Sequence, residues 1–229
     1  MKLLAFETAT EGCSVALWID GDVRERYEVA PRRHAELALP WAEALLAEAG
    51  IARSQLDAIA VGRGPGAFTG VRLAIAIAQG IALALDREIV GVSTLAALAM
   101  QGQGERILAA IDARMGEVYL GAFERRIDGM HLLGNELVAR PDSASIPDGT
   151  WTCVGTGFSA AGGALQHRLQ GRLASVDASA LPRASDVARL GAAAFSRGEA
   201  VPAERLEPAY LRDNVALTLV QQQALRDSR

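Results

Sequence analysis

Two short patterns occur twice in this chain, in the same order, and they constrain its fold more than any other feature. The first is an apolar run that ends at a carboxylate, turns through a glycine and returns as a second run. It reads LAFE at 4–7, Gly12, then SVAL at 14–17; its echo is LAAID at 108–112, Gly116, then EVYL at 117–120. The second is VGRG at 61–64 and VGTG at 154–157, each between an apolar strand-like run and a helix-like one. The spacing from Glu7 to Asp112 is similar to that from Val61 to Val154 but not equal, as insertions would make it. Matching order and context predict a duplicated α/β domain. Two such domains facing each other set both hairpin carboxylates and both glycine turns at a shared cleft.

Apolar runs at 3–6, 14–19 and 23–29 read as strands, with Asp20–Gly21 as a hairpin signal between the last two. This antiparallel opening differs from the strand–helix–strand start of a dinucleotide-binding fold. An Ala-, Leu- and Glu-rich stretch at 35–49 stops at Gly50 and reads as a helix. A strand at 57–62, an apolar helix at 71–85 and a strand at 88–92 follow. The pattern restarts with strands at 106–111 and 117–123, a loop at 140–150, a strand at 151–154 and helices at 160–169 and 185–197. Ser185 suits the N-cap of the last helix and Gly198 its stop. The tail after Pro208 is polar, and 227–229 is expected to fray.

Of 229 residues, 23 are basic and 27 acidic, a net charge of −4, which argues against nucleic-acid binding driven by charge alone. Aromatics make up 5%, too few to suggest a stacking platform for single-stranded RNA. The arginines at 24–26 and 32–33 read as solvated faces. Cys13 and Cys153 lie in apolar runs and read as core thiols rather than a disulfide. The N-terminus turns polar at Glu7, early for a signal peptide. The charge-free stretch 73–85 is shorter than the ~20 residues that span a bilayer. A soluble, cytoplasmic protein without membrane partners is expected.

The loop GRGPGAFTG at 62–70 carries the strongest chemical signal. Its glycines leave backbone N–H groups ahead of a helix, which suits an anion, and Thr69 is positioned to cap that helix. Gly62, Gly64 and Ala67 also fit a dinucleotide fingerprint, but the preceding meander is the wrong context. The alternative is a tight strand-to-helix turn with no ligand. Glu7 and Asp112 read either as a pair orienting metal-bound water around a nucleotide or as two hydrogen-bonded turn formers. His34, His131 and His167 show no H-x-x-x-H or H-x-x-H pairing, so no metal site is expected. There is no GxSxG elbow.

On the helix at 71–85, Leu73, Ile77, Ile81 and Leu85 form a stripe read as core, with Gln79 opposite. Beside it Ala76, Gly80 and Ala84 form a groove of small residues that lets another helix approach closely. Gly80 costs ~1 kcal/mol relative to Ala inside a helix, so a compensating contact is expected. That contact is either the chain's own helix at 35–49 or a second subunit.

The sequence resembles the bacterial TsaB (YeaZ) family, which takes part in making threonylcarbamoyladenosine in tRNA. The residues that carry the likeness are FETATEGCSVA at 6–16, RHAEL at 33–37, GRGPGAFTGVR at 62–72, DARMGEVY at 112–119 and EPAYLR at 207–212. The resemblance implies two duplicated actin-like (ribonuclease H-like) α/β domains with mixed sheets flanked by helices, at 1–100 and 101–229. The second is reduced, and its tail is expected to return to the first. Glu7 departs from the Asp usual in this family. The resemblance further implies a non-catalytic partner of a TsaD-type subunit, with the TsaE ATPase as third member, self-pairing when alone, and tRNA reached only through the complex. No tightly bound cofactor is implied, and ATP or ADP is expected at the complex interface. Nucleotide- or phosphate-facing positions would be Glu7, Thr8, Gly64, Gly66, Thr69, Asp112, Arg114, Gly155 and Gly157. The partner interface would use Leu37, Trp41, Leu73, Ala76, Ile77, Gly80, Leu83 and Ala84. The TsaD-type relatives carry an H-x-x-x-H metal motif that this chain lacks. The rival reading is an autonomous ATP-dependent phosphotransferase or ATPase of the same fold.

Overall fold

The opening run becomes a strand buried on both faces. The structure, a computed structural model, describes residues 1–127 and 129–212. Strand β1 (Lys2–Glu7) pairs antiparallel with β2 (Gly12–Ile19), and β2 pairs antiparallel with β3 (Asp22–Val29). The second turn is made by Asp20 (φ 48°) and Gly21 (φ 111°) in the left-handed region, the conformation the Asp–Gly pair favours. On the other side of β1, β4 (Ala58–Gly62) and β5 (Glu88–Val92) add in parallel, giving the order β3-β2-β1-β4-β5. Leu4 and Phe6 face a core shared with α1 (His34–Ala49) and α2 (Phe68–Leu85). Leu3 and Ala5 face the opposite side, where α5 (Ala184–Ser196) packs. Cover on both faces explains why β1 is continuously apolar rather than alternating.

The second sheet repeats this plan. Its strands are β6 (Arg106–Arg114), β7 (Glu117–Arg126), β8 (Gly129–Leu132), β10 (Trp151–Val154) and β11 (Leu173–Asp177), in the order β11-β10-β6-β7-β8. Again two antiparallel strands lie on one side of the first strand and two parallel strands on the other. A short β9 (Leu137–Ala139) pairs with β7. The sequence duplication is thus a duplicated topology. In the second unit α4 (Ala160–Arg168) connects β10 to β11, as α2 connects β4 to β5. Its first turn is irregular, with Ala161, Gly162 and Gly163 all at positive φ.

The helix that ends each unit packs against the other unit as well. After β5 comes a short α3 (Thr94–Ala99), not foreseen in the sequence, whose Leu95 and Leu98 pack with Ile107, Ala109 and Phe123 of the second sheet. After β11 comes α5, which the sequence division at residue 100 assigned to the second domain. It packs instead against β1, β2, β4 and β5. Gly191 permits this approach, since a Cβ there would lie 2.7 Å from the Ala60 Cβ. Ser185 does not cap α5. The cap position is Arg183, and the free N–H groups are met by the first sheet. Ala184 N–H donates to Ser14 Oγ at 2.9 Å and Ser185 N–H to Glu25 Oε1 at 2.9 Å.

Helix α2 also differs from expectation. It begins three residues early, at Phe68, with Ala67 at the cap position and Thr69 inside the first turn, so Thr69 caps nothing. At 18 residues and mean hydropathy 1.7 it is long and apolar enough to cross a membrane by those measures, unlike the shorter charge-free stretch read from sequence. Its buried residues are Val71, Ala74, Ile75, Ala78 and Ala82 rather than the Leu73–Ile77–Ile81–Leu85 stripe, which lies at the edge of the core. Gln79 is not opposite the core; its amide donates to the carbonyls of Ala203 and Leu206. Both cysteines are buried free thiols, pushed up by burial to about 11 for Cys13 and about 12 for Cys153.

Candidate functional site

A cleft of about 420 Å³ lies between the two units. The first unit contributes Ala9, Thr10 and Glu11 from its hairpin turn, His34, and Gly66 to Phe68 from the loop before α2. The second contributes Asp112, Arg114 and Thr156. Tyr210 and Arg212 border it from the C-terminal segment.

Of the residues expected to face a nucleotide, Gly66, Asp112 and Arg114 line this cleft. Glu7 does not. Its side chain is fully buried, Ala9 N–H donates to its Oε1 at 2.7 Å, and the Thr94 hydroxyl donates to its Oε2 at 3.0 Å. Burial pushes its carboxyl up to about 7, against the smaller opposing effect of these hydrogen bonds. Thr8 is likewise buried, its hydroxyl donating to the Gly70 carbonyl at 2.7 Å. Gly64, Thr69, Gly155 and Gly157 also lie outside the cleft lining.

The glycine loop is explained by close packing. A Cβ at Gly62 would lie 2.0 Å from Glu7 Oε2, one at Gly66 2.5 Å from the Ala9 carbonyl oxygen, and one at Gly70 2.0 Å from the Thr8 carbonyl oxygen. The loop is pressed along the first hairpin, and at these three positions only glycine fits. Three of its amides are engaged as well. Arg63 N–H donates to Val92 O, Gly64 N–H to Thr94 Oγ1, and Ala67 N–H to Ala9 O. The second glycine turn repeats this, since a Cβ at Gly155 would lie 2.2 Å from the Ala110 carbonyl oxygen.

Asp112 forms its turn with its own neighbours. Arg114 donates to it twice, from the backbone N–H to Oδ1 and from Nη1 to Oδ2, both at 2.8 Å, while Asp112 N–H donates to Thr156 Oγ1. Nη2 of the same arginine reaches Glu11 Oε1 at 3.0 Å, across the cleft. One hairpin acid is therefore buried and the other is paired with an arginine, a donor set that does not fit a metal-held nucleotide. Among the described residues no three His, Cys, Asp or Glu side chains converge. His34 Nε2 lies 3.0 Å from the Thr10 carbonyl.

Sequence reasoning missed the cleft's rim. Arg72 lies 3.2 Å from the Phe68 ring centroid and 5.0 Å from that of Tyr210. Phe68 and Tyr210 are both exposed. Phe68 and Arg72 lie in the quoted 62–72 motif and Tyr210 in EPAYLR, but nothing in either string shows that they meet.

A second surface lies on α2. Ala76, Gly80, Leu83 and Ala84 are exposed, while Leu73, Ile77, Leu37 and Trp41 are half-buried. A Cβ at Gly80 would meet nothing within 4 Å. Gly80, Ile81, Ala84 and Leu85 form one wall of a groove of about 240 Å³, with Leu39, Ala42 and Leu46 of α1 opposite. The small residues do not seat α1; they leave an open apolar face.

Two like sheets, each pressing a glycine turn against its own hairpin at a common cleft, define an actin-like protein. Residues 27–219 match the family model for TsaD, tRNA N6-adenosine threonylcarbamoyltransferase. The chain is 41% identical over 225 residues to the tRNA threonylcarbamoyladenosine biosynthesis protein TsaB of Escherichia coli (strain K12), covering 94% of this chain and 96% of that one. The TsaB protein of Haemophilus influenzae is 36% identical over 229 residues, covering 94% and 95%. The solved structure of YeaZ from Pseudomonas aeruginosa matches with a TM-score of 0.82 at 45% identity, covering 92% of this chain and 99% of that one. The chain belongs to the TsaB (YeaZ) family, and the matched model places it in one wider family with TsaD.

Proposed function

We propose that this protein takes part in threonylcarbamoyladenosine biosynthesis as a partner subunit without catalytic activity of its own. It binds and organises a TsaD-type subunit that modifies adenosine 37 of tRNA, with TsaE as third component. Family membership supports the pathway. The observation that carries the non-catalytic part is the burial of Glu7, which leaves Glu11, paired with Arg114 across the cleft, as the first hairpin's acid at the cleft. An autonomous phosphotransferase of this fold would need a free acid in each hairpin, whereas Glu11 and Asp112 are both paired with Arg114. The open face of α2 supports the partner role, because an exposed run of small and apolar residues on a helix is suited to close helix contact. In this reading the same face pairs two copies when the partner is absent, tRNA is reached through the complex, and any ATP or ADP sits at the subunit interface.

The test is reconstitution. The purified chain alone is expected neither to turn over ATP nor to modify tRNA, and modification is expected once the TsaD-type subunit and TsaE are added. Steady ATP turnover by the isolated chain, abolished by Asp112→Ala, would replace this reading with the autonomous phosphotransferase.

A further inference from the structure

The C-terminal segment ties the two lobes together, and its two ends are held by different forces. At its start Val201 pairs with the edge strand β5, exchanging two backbone hydrogen bonds with Ile89. Ala203 and Leu206 then bury in the first core, and the Gln79 amide holds both of their carbonyls. Ala209 N–H donates to the Arg63 carbonyl at 2.8 Å. This half is fixed to the first lobe by apolar burial and backbone bonds.

Among the described residues, the hydrogen bonds from the far end to the second lobe come from Arg212. Arg212 donates from Nη2 to the Ala113 carbonyl at 3.2 Å and to the Glu117 carboxylate, and its Nη1 lies 3.7 Å from Met115 Sδ. These contacts grip the turn between β6 and β7. In that turn Arg114, Met115 and Gly116 all have positive φ, a conformation that residues with a Cβ disfavour. The turn is therefore a conformation that its surroundings must hold. The Arg114–Glu11 pair also crosses the cleft, but the Arg114 side chain is 72% exposed, against 20% for Arg212. An exposed pair contributes little, whereas a shielded guanidinium with two oxygen acceptors contributes more.

We propose that residues 201–212 form an interlobe strap with Arg212 as its clasp, and that the cleft opens by release of this clasp while the rest of the strap stays on the first lobe. The inference does not depend on the partner-subunit reading.

Amide hydrogen exchange on the full chain tests it, comparing wild type with Arg212→Met and Arg212→Lys. Methionine keeps an apolar stem and removes the guanidinium; lysine keeps the charge but loses the fork. In Arg212→Met, amides at 113–117 and at 10–11 on the facing wall are expected to exchange about tenfold faster, as loss of a charge-assisted hydrogen bond predicts. Amides of β1 should be unchanged. Arg212→Lys should fall between the two, and raised salt should move wild type in the same direction. Unchanged exchange on both walls would overturn the proposal. So would a rise at 113–117 alone, which means local fraying, or a rise throughout β1 with a lower melting temperature, which means a general stability role.

Discussion

Burial without a cation nearby sets the behaviour of Glu7. Its carboxyl is held at about 7 in the fold, so the folded chain binds this proton more tightly than the unfolded chain. The contribution of Glu7 to stability is therefore most favourable at low pH. It is lost as pH rises from the ordinary carboxylate range through about 7, and is absent above that. Glu7→Gln keeps the shape and cannot ionise. Its stability relative to wild type should rise between about pH 5 and about pH 8, a trend that thermal melting at the two values would measure. Asp186, pushed up to about 6 chiefly by burial and opposed by Arg189, acts in the same sense but is common to both proteins. A constant difference across that range would mean that Glu7 ionises like an exposed carboxylate. The sequence located this residue at the end of β1 but not its environment. A glycine opposite a hairpin carboxylate reads equally as a phosphate cradle or as room for a side chain, and only the 2.0 Å approach at Gly62 decides.

At the scale of the element, α2 is apolar on nearly every side, and this decides both what could be read and what can be tested. Periodicity found the helix but misplaced its buried face. Where all sides are apolar, side-chain size does not tell core from surface, and here the small Ala74, Ala78 and Ala82 meet the sheet while Leu83 faces solvent. The short α3, β8 and β9 were not read for a different reason: they are too brief to establish a period. The strands with both faces covered were found because burial makes them continuously apolar. Gly80 now gives a sharp expectation. With nothing within 4 Å of its Cβ position, Gly80→Arg should leave the fold intact and strengthen the helix by up to ~1 kcal/mol. The same variant should weaken association with the TsaD-type partner by at least ~2 kcal/mol, about thirtyfold. Circular dichroism melting beside a binding titration separates the two effects. A stable variant that binds normally would remove this face from the interface.

On the scale of the molecule, the division into 1–100 and 101–229 is a division of sequence and not of structure. Leu95 and Leu98 from the first stretch fill the core of the second sheet. From the second stretch, Ala184, Val187 and Ala188 cover Ala5, Ala16, Ala60 and Val90 of the first. Ser14 and Glu25 of the first sheet satisfy the N-terminal amides of α5, and Ala203 and Leu206 complete the first core. Neither sheet can bury both faces from its own stretch of chain. Parting the two stretches of chain would uncover an apolar face of each sheet at once, and burial of such surface stabilises at about 25 cal/mol per Å². The intact chain should therefore unfold in a single transition, despite its two sheets. Differential scanning calorimetry is expected to show one peak, with calorimetric and van't Hoff enthalpies in a ratio of about one. Two resolved peaks would mean that each lobe is stable alone and that the exchanged helices contribute little to either core. A fragment ending at residue 100 supplies the complementary measurement. It should remain unfolded or aggregate by itself, because it lacks α5 and the strap, even though all five strands of the first sheet are present.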